Sequence, residues 1–294
     1  MKLLYGLLFA IACNISYAES DIYKFIIPGG PGSGSDRTID IYKECFASQS
    51  IHITKEFKPG ADGLVAVKAL QNSTDTKNTI NILLGNFGLN MLSNFPGIDY
   101  LNDIHPLTYL SFVNMVIAGK EENQLTIAKL KEMSSNKPIT VGSPNTSGSF
   151  IIENLFKDLG ISYDIISYNN ISQALIDVAG GNLDIVINTY ISTLPMLENK
   201  KLSIISSTFD SKTAKQKGHL NIYHYSSKLE KMQLGFILSS KPTLEDSYRK
   251  KLVDAVLICN KDDQIKNKLE SVGAYPAFVT TVEVQKIIKT VREK

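Results

Sequence analysis

Tyr23-Lys24-Phe25-Ile26-Ile27-Pro28-Gly29-Gly30-Pro31-Gly32-Ser33-Gly34-Ser35-Asp36 decides the fold. The first five residues read as a strand, Pro28 and the glycines stop it, and apolar side chains then recur at helical spacing through Ile39, Tyr42 and Phe46. A strand feeding a helix through a glycine loop is the repeating unit of a parallel α/β sheet. The unit returns along the chain. Residues 51–55 read as a second strand, Lys58-Pro59-Gly60-Ala61-Asp62-Gly63 as a turn, Leu64, Val67 and Leu70 as the inner face of a helix, and 79–84 as a third strand. An apolar stretch at 107–113 is expected to cross into a second lobe.

Beyond it the same pattern resumes. Residues 139–141 read as a strand, Gly142 to Ser149 as a loop, and Ile151, Ile152, Leu155, Phe156 and Leu159 as the buried face of a helix. Strands follow at 165–168 and 184–188, joined by a helix at 171–179 that ends on Gly180-Gly181. Residues 234–238 read as a return strand, and two long helices close the chain, the last opened by the capping box Thr280-Thr281-Val282-Glu283. The expectation is an α/β chain of two lobes, 19–107 plus 234–294 and 108–233, with a ligand cleft between them.

Met1-Lys2, the apolar run at 3–12 and the small residues of Ser16-Tyr17-Ala18 read as a signal peptide at 1–18, which places the protein in the periplasm. The run is shorter than the roughly 20 residues that span a bilayer. Cys13 offers a second reading, lipidation, against which the shortness of the leader argues. Of 294 residues, 43% are hydrophobic and 20% charged, enough apolar surface for real cores and too little charge for disorder. The net charge of +2 is scattered rather than gathered in a stripe, which argues against nucleic acid as a partner. Cys45 and Cys259 stand far apart in helical patterns; an oxidising compartment permits a bridge between them, but isolated cysteines on apolar faces favour two buried thiols. His52, His105, His219 and His224 lack metal-ligand spacing, and none stands where it would pair with a serine, so neither metal nor cofactor is expected.

Chemistry is expected at the carboxyl ends of the strands, where open α/β sheets bind ligands. The first loop offers Gly29, Gly30, Ser33, Gly34, Ser35 and Asp36, and the one at 142–149 offers Ser143, Asn145, Ser147, Gly148 and Ser149. Asn86 in Gly85-Asn86-Phe87-Gly88, Tyr168, Asn188 and Thr189 stand at other strand ends. Glycines admit close backbone approach, helix N-termini attract anions, and small hydroxyl and amide groups suit carboxylate oxygens. Any one such loop can be an ordinary capping turn; several in one chain favour a site. Arg37 is the one cation in these loops, so an anion would be met by backbone N–H groups and hydroxyls. The dinucleotide and phosphate-loop patterns are incomplete, and no Gly-x-Ser-x-Gly elbow occurs.

These residues resemble the extracytoplasmic solute receptors of the tripartite tricarboxylate transporter type, the Bug family. The likeness rests on Pro28-Gly29-Gly30 with Ser35-Asp36, on Lys58-Pro59-Gly60-Ala61-Asp62-Gly63-Leu64, on Gly142-Ser143-Pro144 with Gly148-Ser149, and on Gly180-Gly181-Asn182-Leu183-Asp184. It implies a two-lobed clam-shell, monomeric, that holds a small organic carboxylate for delivery to membrane permease subunits. The sequence departs from the pattern in the extra Pro31-Gly32-Ser33-Gly34, in Asn169-Asn170 for the usual lysine-glycine, and in Phe150 for the common histidine. The alternatives are an exported dehydratase or hydrolase on the same fold, and a receptor feeding a sensor.

Overall fold

The computed structural model describes residues 21–74, 79–84, 104–143, 146–226, 229 and 234–292. The leader at 1–18, Asn86 and Asn145 lie outside them, as does the side chain of Ser147. The first sheet is built from β1 (Asp21–Ile27), β2 (Ile51–Phe57), β3 (Thr79–Leu84), β4 (His105–Val113), β11 (Gly235–Ser240) and β12 (Ala274–Pro276) in the order β12-β4-β11-β3-β1-β2. β1 pairs in parallel with β2 and β3, whereas β11 runs antiparallel to β3 and β4. The second sheet has the order β10-β9-β5-β8-β6-β7, from β5 (Met115–Lys120), β6 (Ile139–Ser143), β7 (Tyr163–Ser167), β8 (Ile185–Thr189), β9 (Leu202–Ser207) and β10 (Leu220–Asn221).

Helices cover both faces of each sheet, giving two three-layer lobes. In the first, α1 (Gly34–Ser48), α8 (Asp246–Cys259) and α9 (Asp263–Ser271) bury Ile39, Tyr42, Phe46, Leu252, Val256, Ile265 and Leu269 against one face. On the other face α2 (Leu64–Asn72) and α10 (Thr281–Arg292) pack Val67, Leu70 and Val284 on Ile26 and Ile237. In the second lobe α3 (Ile127–Ser134) and α4 (Thr146–Leu159) cover one face through Leu130, Ile151, Leu155 and Phe156. The other is covered by α5 (Ile171–Gly180) through Ala174 and Val178, with α6 (Tyr190–Glu198) and α7 (Ser211–Gln216) beside it. β8 is buried along its whole length, as a strand covered on both faces must be.

The structure corrects three expectations. The boundary at 107/108 falls inside β4, which stays in the first sheet to Val113; the stretch is apolar because a central strand is buried, and the chain passes between sheets at Asn114. Three helices rather than two close the chain, because α9 is a separate short helix capped by Asp262, whose carboxylate accepts from Gln264 N–H at 2.7 Å. Cys45 and Cys259 are not thiols but a disulfide. Spacing along the chain hid the pair, whereas the packing of α1 on α8 brings the two Cα atoms to 5.9 Å, inside the range a bridge requires. The expected capping box on α10 is present: Glu283 Oε2 accepts from Thr280 N–H at 2.8 Å, and Thr280 Oγ1 accepts from Glu283 N–H at 3.3 Å.

Candidate functional site

The β1–α1 loop is shaped by its own side chains. Gly32 adopts φ +80°, the left-handed turn that brings its N–H to Asp36 Oδ2 at 2.8 Å. The other carboxylate oxygen of Asp36 accepts from Lys55 Nζ on β2 at 2.5 Å, and Lys55 also reaches Asp40 at 2.6 Å. Burial pulls the Lys55 pKa down, but the hydrogen bonds to Asp36 and Asp40 outweigh it and hold the ammonium above its ordinary range. Arg37 lies exposed along the loop and donates from Nε to Gly32 O at 2.9 Å. The loop is therefore tied on its outer side, and Ser33, Gly34 and Ser35 at the start of α1 are buried on the other.

Gly34 is covered by Phe236 of its own lobe and by Thr189 and Ser192 of the second. A Cβ on Gly34 would lie 2.6 Å from Thr189 Oγ1 and 3.2 Å from Ser192 Oγ, so only a glycine lets the backbone approach this closely. Thr189 ends β8 and stands before the first turn of α6, with its hydroxyl 2.8 Å from that of Ser192. The N-terminus of α1 from one lobe thus meets the N-terminus of α6 from the other. Beside it, Gly30 faces Asn170, the N-cap of α5, whose Oδ1 accepts from Ser172 N–H at 3.1 Å. Gly29 packs inside its own loop, against Ser33.

Across the second lobe, Ser143 ends β6 and Ser149 in the first turns of α4 donates to its hydroxyl at 3.3 Å. A Cβ on Gly148 would lie 2.8 Å from Ser143 Oγ and 3.0 Å from Ile187 Cγ2, so this turn too is closed by backbone. Asn188, on β8 immediately before Thr189, is 3% exposed, and its Nδ2 has no hydrogen-bond partner. Tyr168 lays its ring beside Gly142 and donates its hydroxyl to Asp177 Oδ2 at 2.7 Å. Burial and that bond push the Tyr168 hydroxyl up to about 12, and Asp177 is held below its ordinary range by Tyr168 and Gln173.

Of the residues expected at the site, the structure brings Gly30 against Asn170 and Gly34 against Thr189 across the two lobes, with Ser33 and Ser35 on either side of Gly34 in the chain, Asn188 next to Thr189, and Ser143, Gly148 and Ser149 at the end of β6. Asp36 and Tyr168 are engaged within their own lobes. Ser192 and Asn170 were missed; the run Thr189-Tyr190-Ile191-Ser192 is the kind of small-hydroxyl helix start that could have flagged the first.

One further expectation fails. His219 does pair with a serine: its Nε2 is 2.8 Å from Ser207 Oγ, and Nδ1 is 3.4 Å from Lys217 O. With Nδ1–H on that carbonyl, Nε2 accepts from the Ser207 hydroxyl, whose oxygen accepts from Phe209 N–H at 3.3 Å. Folding of β9 toward β10 makes the contact, which linear spacing does not show. Ser207 is 1% exposed, so the pair ties the lobe together and offers no nucleophile to a substrate. Among the described residues, no three His, Cys, Asp or Glu side chains gather where they could hold a metal ion.

Comparison with known proteins agrees with this architecture. No curated protein sequence matches the chain. Among solved structures, the periplasmic binding protein BugD is 16% identical, with a TM-score of 0.82 over 92% of this chain and 94% of that one. An R. palustris protein solved with adipate gives 16% identity and a TM-score of 0.82 over 92% and 93% of the two chains. MatC from Rhodopseudomonas palustris, with bound malate, gives 13% identity and 0.80 over 92% and 96%. At such identities the likeness shows the fold. The model of the tripartite tricarboxylate transporter family receptor matches residues 46–294, starting within α1 and leaving the β1–α1 loop outside the match. On that match, which spans both sheets, the chain belongs to the tripartite tricarboxylate transporter receptor family and is a solute-binding protein rather than an enzyme.

Proposed function

We propose that the protein captures a small organic carboxylate between its lobes, through Gly30, Ser33, Gly34 and Ser35 on one side and Ser143, Ser149, Asn188 and Thr189 on the other, and delivers it to membrane permease subunits. The observation that carries this reading is the meeting of α1 and α6 at Gly34 and Thr189. Each helix end presents N–H groups without intrahelical partners and a partial positive charge, and the hydroxyls beside them add donors without adding a cation. A carboxylate held there is stabilised by charge-assisted hydrogen bonds from both lobes at once. Asn188 Nδ2 is a further buried donor that a ligand oxygen would satisfy. Asp36 and Tyr168 act in this reading as wall and brace. The solved relatives that hold adipate and malate support the carboxylate class.

Export fits the chemistry of the chain. A disulfide persists in an oxidising compartment, and the bridge between Cys45 and Cys259 accords with a leader at 1–18 that delivers a monomer to the periplasm. Calorimetric titration of the mature chain with a panel of mono- and dicarboxylates tests the reading. Saturable one-to-one binding of a dicarboxylate, with neutral amide and ester analogues silent, is the expected result. Equal binding of the neutral analogues would overturn it.

A further inference from the structure

The interlobe contact at Gly34 joins the start of α1, after β1, to Thr189 at the end of β8. Beside the crossing residue Asn114, between the ends of β4 and β12 and the residue that follows β9, there is a cavity of about 290 Å³. Its walls are the rings of Phe112 and Tyr275 from the first lobe and of Tyr223 from the second, with Val113 and Leu234 between them. Asn114 and Thr208 line its remaining surface. We propose that this cavity is a second small-molecule site, for an uncharged ring compound, and that its occupation favours the closed arrangement of the lobes.

The chemistry of the lining sets the class of ligand. Among the described residues no Lys, Arg, Asp or Glu borders the cavity, and this part of its wall favours an uncharged ligand. The polar side chains already bond each other: Asn114 Nδ2 donates to Gly273 O at 3.0 Å, and Asn114 Oδ1 accepts from Thr208 Oγ1 at 3.1 Å. The Tyr275 side chain, 37% exposed, also bonds Asn114, so the polar groups of the lining are engaged with one another and a ligand meets them beside aromatic and aliphatic surface. An apolar cavity of roughly 150 Å³ accepts benzene, so a space of this size admits a bicyclic ring such as indole.

Coupling follows from who supplies the walls. The cavity borders both lobes and the residue where the chain crosses between them, with Val113 N–H donating to Leu234 O at 2.8 Å and Tyr190 N–H to Asn114 O at 2.8 Å. Its shape therefore depends on the lobe angle, and a molecule fitted to it binds the closed arrangement better than any other. By linkage, a ligand that closes the lobes tightens indole by the same factor that indole tightens the ligand. Occupation of the cavity stands apart from the carboxylate reading; only the coupling rests on it.

The test uses the mature chain and indole as the probe, read by indole emission, since the protein has no tryptophan. Saturable one-to-one binding is expected, weakened about tenfold or more by Tyr275→Ala, which removes one wall. Phe278→Ala, at an exposed apolar position that does not border the cavity, is the control and should bind indole as the parent does. Non-saturating uptake, or equal binding by both variants with unchanged melting temperature, overturns the site. Adding a dicarboxylate that binds in calorimetry should strengthen indole binding; unchanged indole affinity overturns the coupling. A chain that binds indole but no carboxylate refutes the carboxylate reading and leaves the cavity site standing.

Discussion

The two lobes each have a six-stranded mixed sheet, yet they are fastened by different chemistry and face each other with different groups. The first is locked behind its cleft face: the Cys45–Cys259 bridge joins α1 to α8, and Tyr42 places its hydroxyl 2.6 Å from Leu110 O and 2.5 Å from Asn260 Oδ1. Asn260 in turn donates to Ala277 O at 2.7 Å. Among the described residues the second lobe has no bridge and relies on hydrogen bonds such as Ser207–His219 and Thr140–Asp184. The difference matches what each presents. Backbone amides such as those at Gly30 and Gly34 have nothing to rotate, so their geometry is only as good as the position of α1, whereas hydroxyls such as Thr189 and Ser192 adjust at small cost.

Breaking the lock should give the largest effect. The bridge closes a separation of 214 residues, so its loss frees a large loop in the unfolded chain. Replacing Cys45 and Cys259 together by alanine should cost about 2–5 kcal/mol in urea unfolding. A loss below about 1 kcal/mol would mean that Tyr42 and Asn260 hold α1 without help.

Gly34→Val comes next, because it crowds the contact between the lobes at Thr189 as well as Phe236 within its own lobe. The added atoms would run into Thr189 Oγ1 and Phe236 Cζ, at 2.6 and 3.0 Å from Cβ alone. Carboxylate affinity should fall by about 2–3 kcal/mol, with small-angle scattering showing a more open particle at the same ligand concentration. Gly30→Ala sharpens the point: its Cβ would sit 3.5 Å from Asn170, an ordinary contact, so binding should change little. Equal losses from the two variants would remove Gly34 from its role as the closure contact.

Local periodicity made most of this fold legible. Strands 79–84 and 184–188, the helix ended by Gly180-Gly181 and the capping box at Thr280 and Glu283 announce themselves within a few residues, and the structure holds them there within a residue or so. What stayed hidden depends on partners distant in the chain. Nothing near Cys45 signals Cys259, and nothing near Gly34 signals Thr189. The stretch 107–113 misled because an apolar run can be a central strand as readily as a crossing, and the true crossing is one polar residue, Asn114, buried because its side chain serves both lobes. The candidate site was legible as loops and not as a surface, since sequence orders the loops and only packing opposes them.

On the side-chain face of the cleft, smaller losses are expected. Thr189→Val keeps the shape and removes one hydroxyl that bonds Ser192 at 2.8 Å, and Ser192→Ala removes the other. Each should weaken carboxylate binding by about 1 kcal/mol, and the double variant by less than the sum, because each hydroxyl orients the other. Full additivity in a calorimetric double-mutant cycle would show that the two act independently.

The smallest effect is read by pH. Burial lowers the pKa of His219, with the nearby Lys217 ammonium acting the same way and its carbonyl opposing. The folded chain therefore resists a proton that the unfolded chain takes up at about 6.5. Above that value both states are neutral and stability is complete; as pH falls through it, the unfolded state gains the proton and stability declines until the lower folded value is reached. Depressed carboxylates such as Asp184 lose their contribution only at lower pH, so unfolding between about pH 7.5 and 5 isolates the imidazoles. His105, in the first sheet beside Arg249, is lowered by burial too and supplies part of the acid loss in both proteins. His219→Gln should nevertheless retain more of its neutral-pH stability at pH 5 than the parent does, because one of the two imidazoles whose pKa burial lowers is gone. Parallel pH profiles for parent and variant would show that the Ser207–His219 pair is open to protonation in the folded lobe.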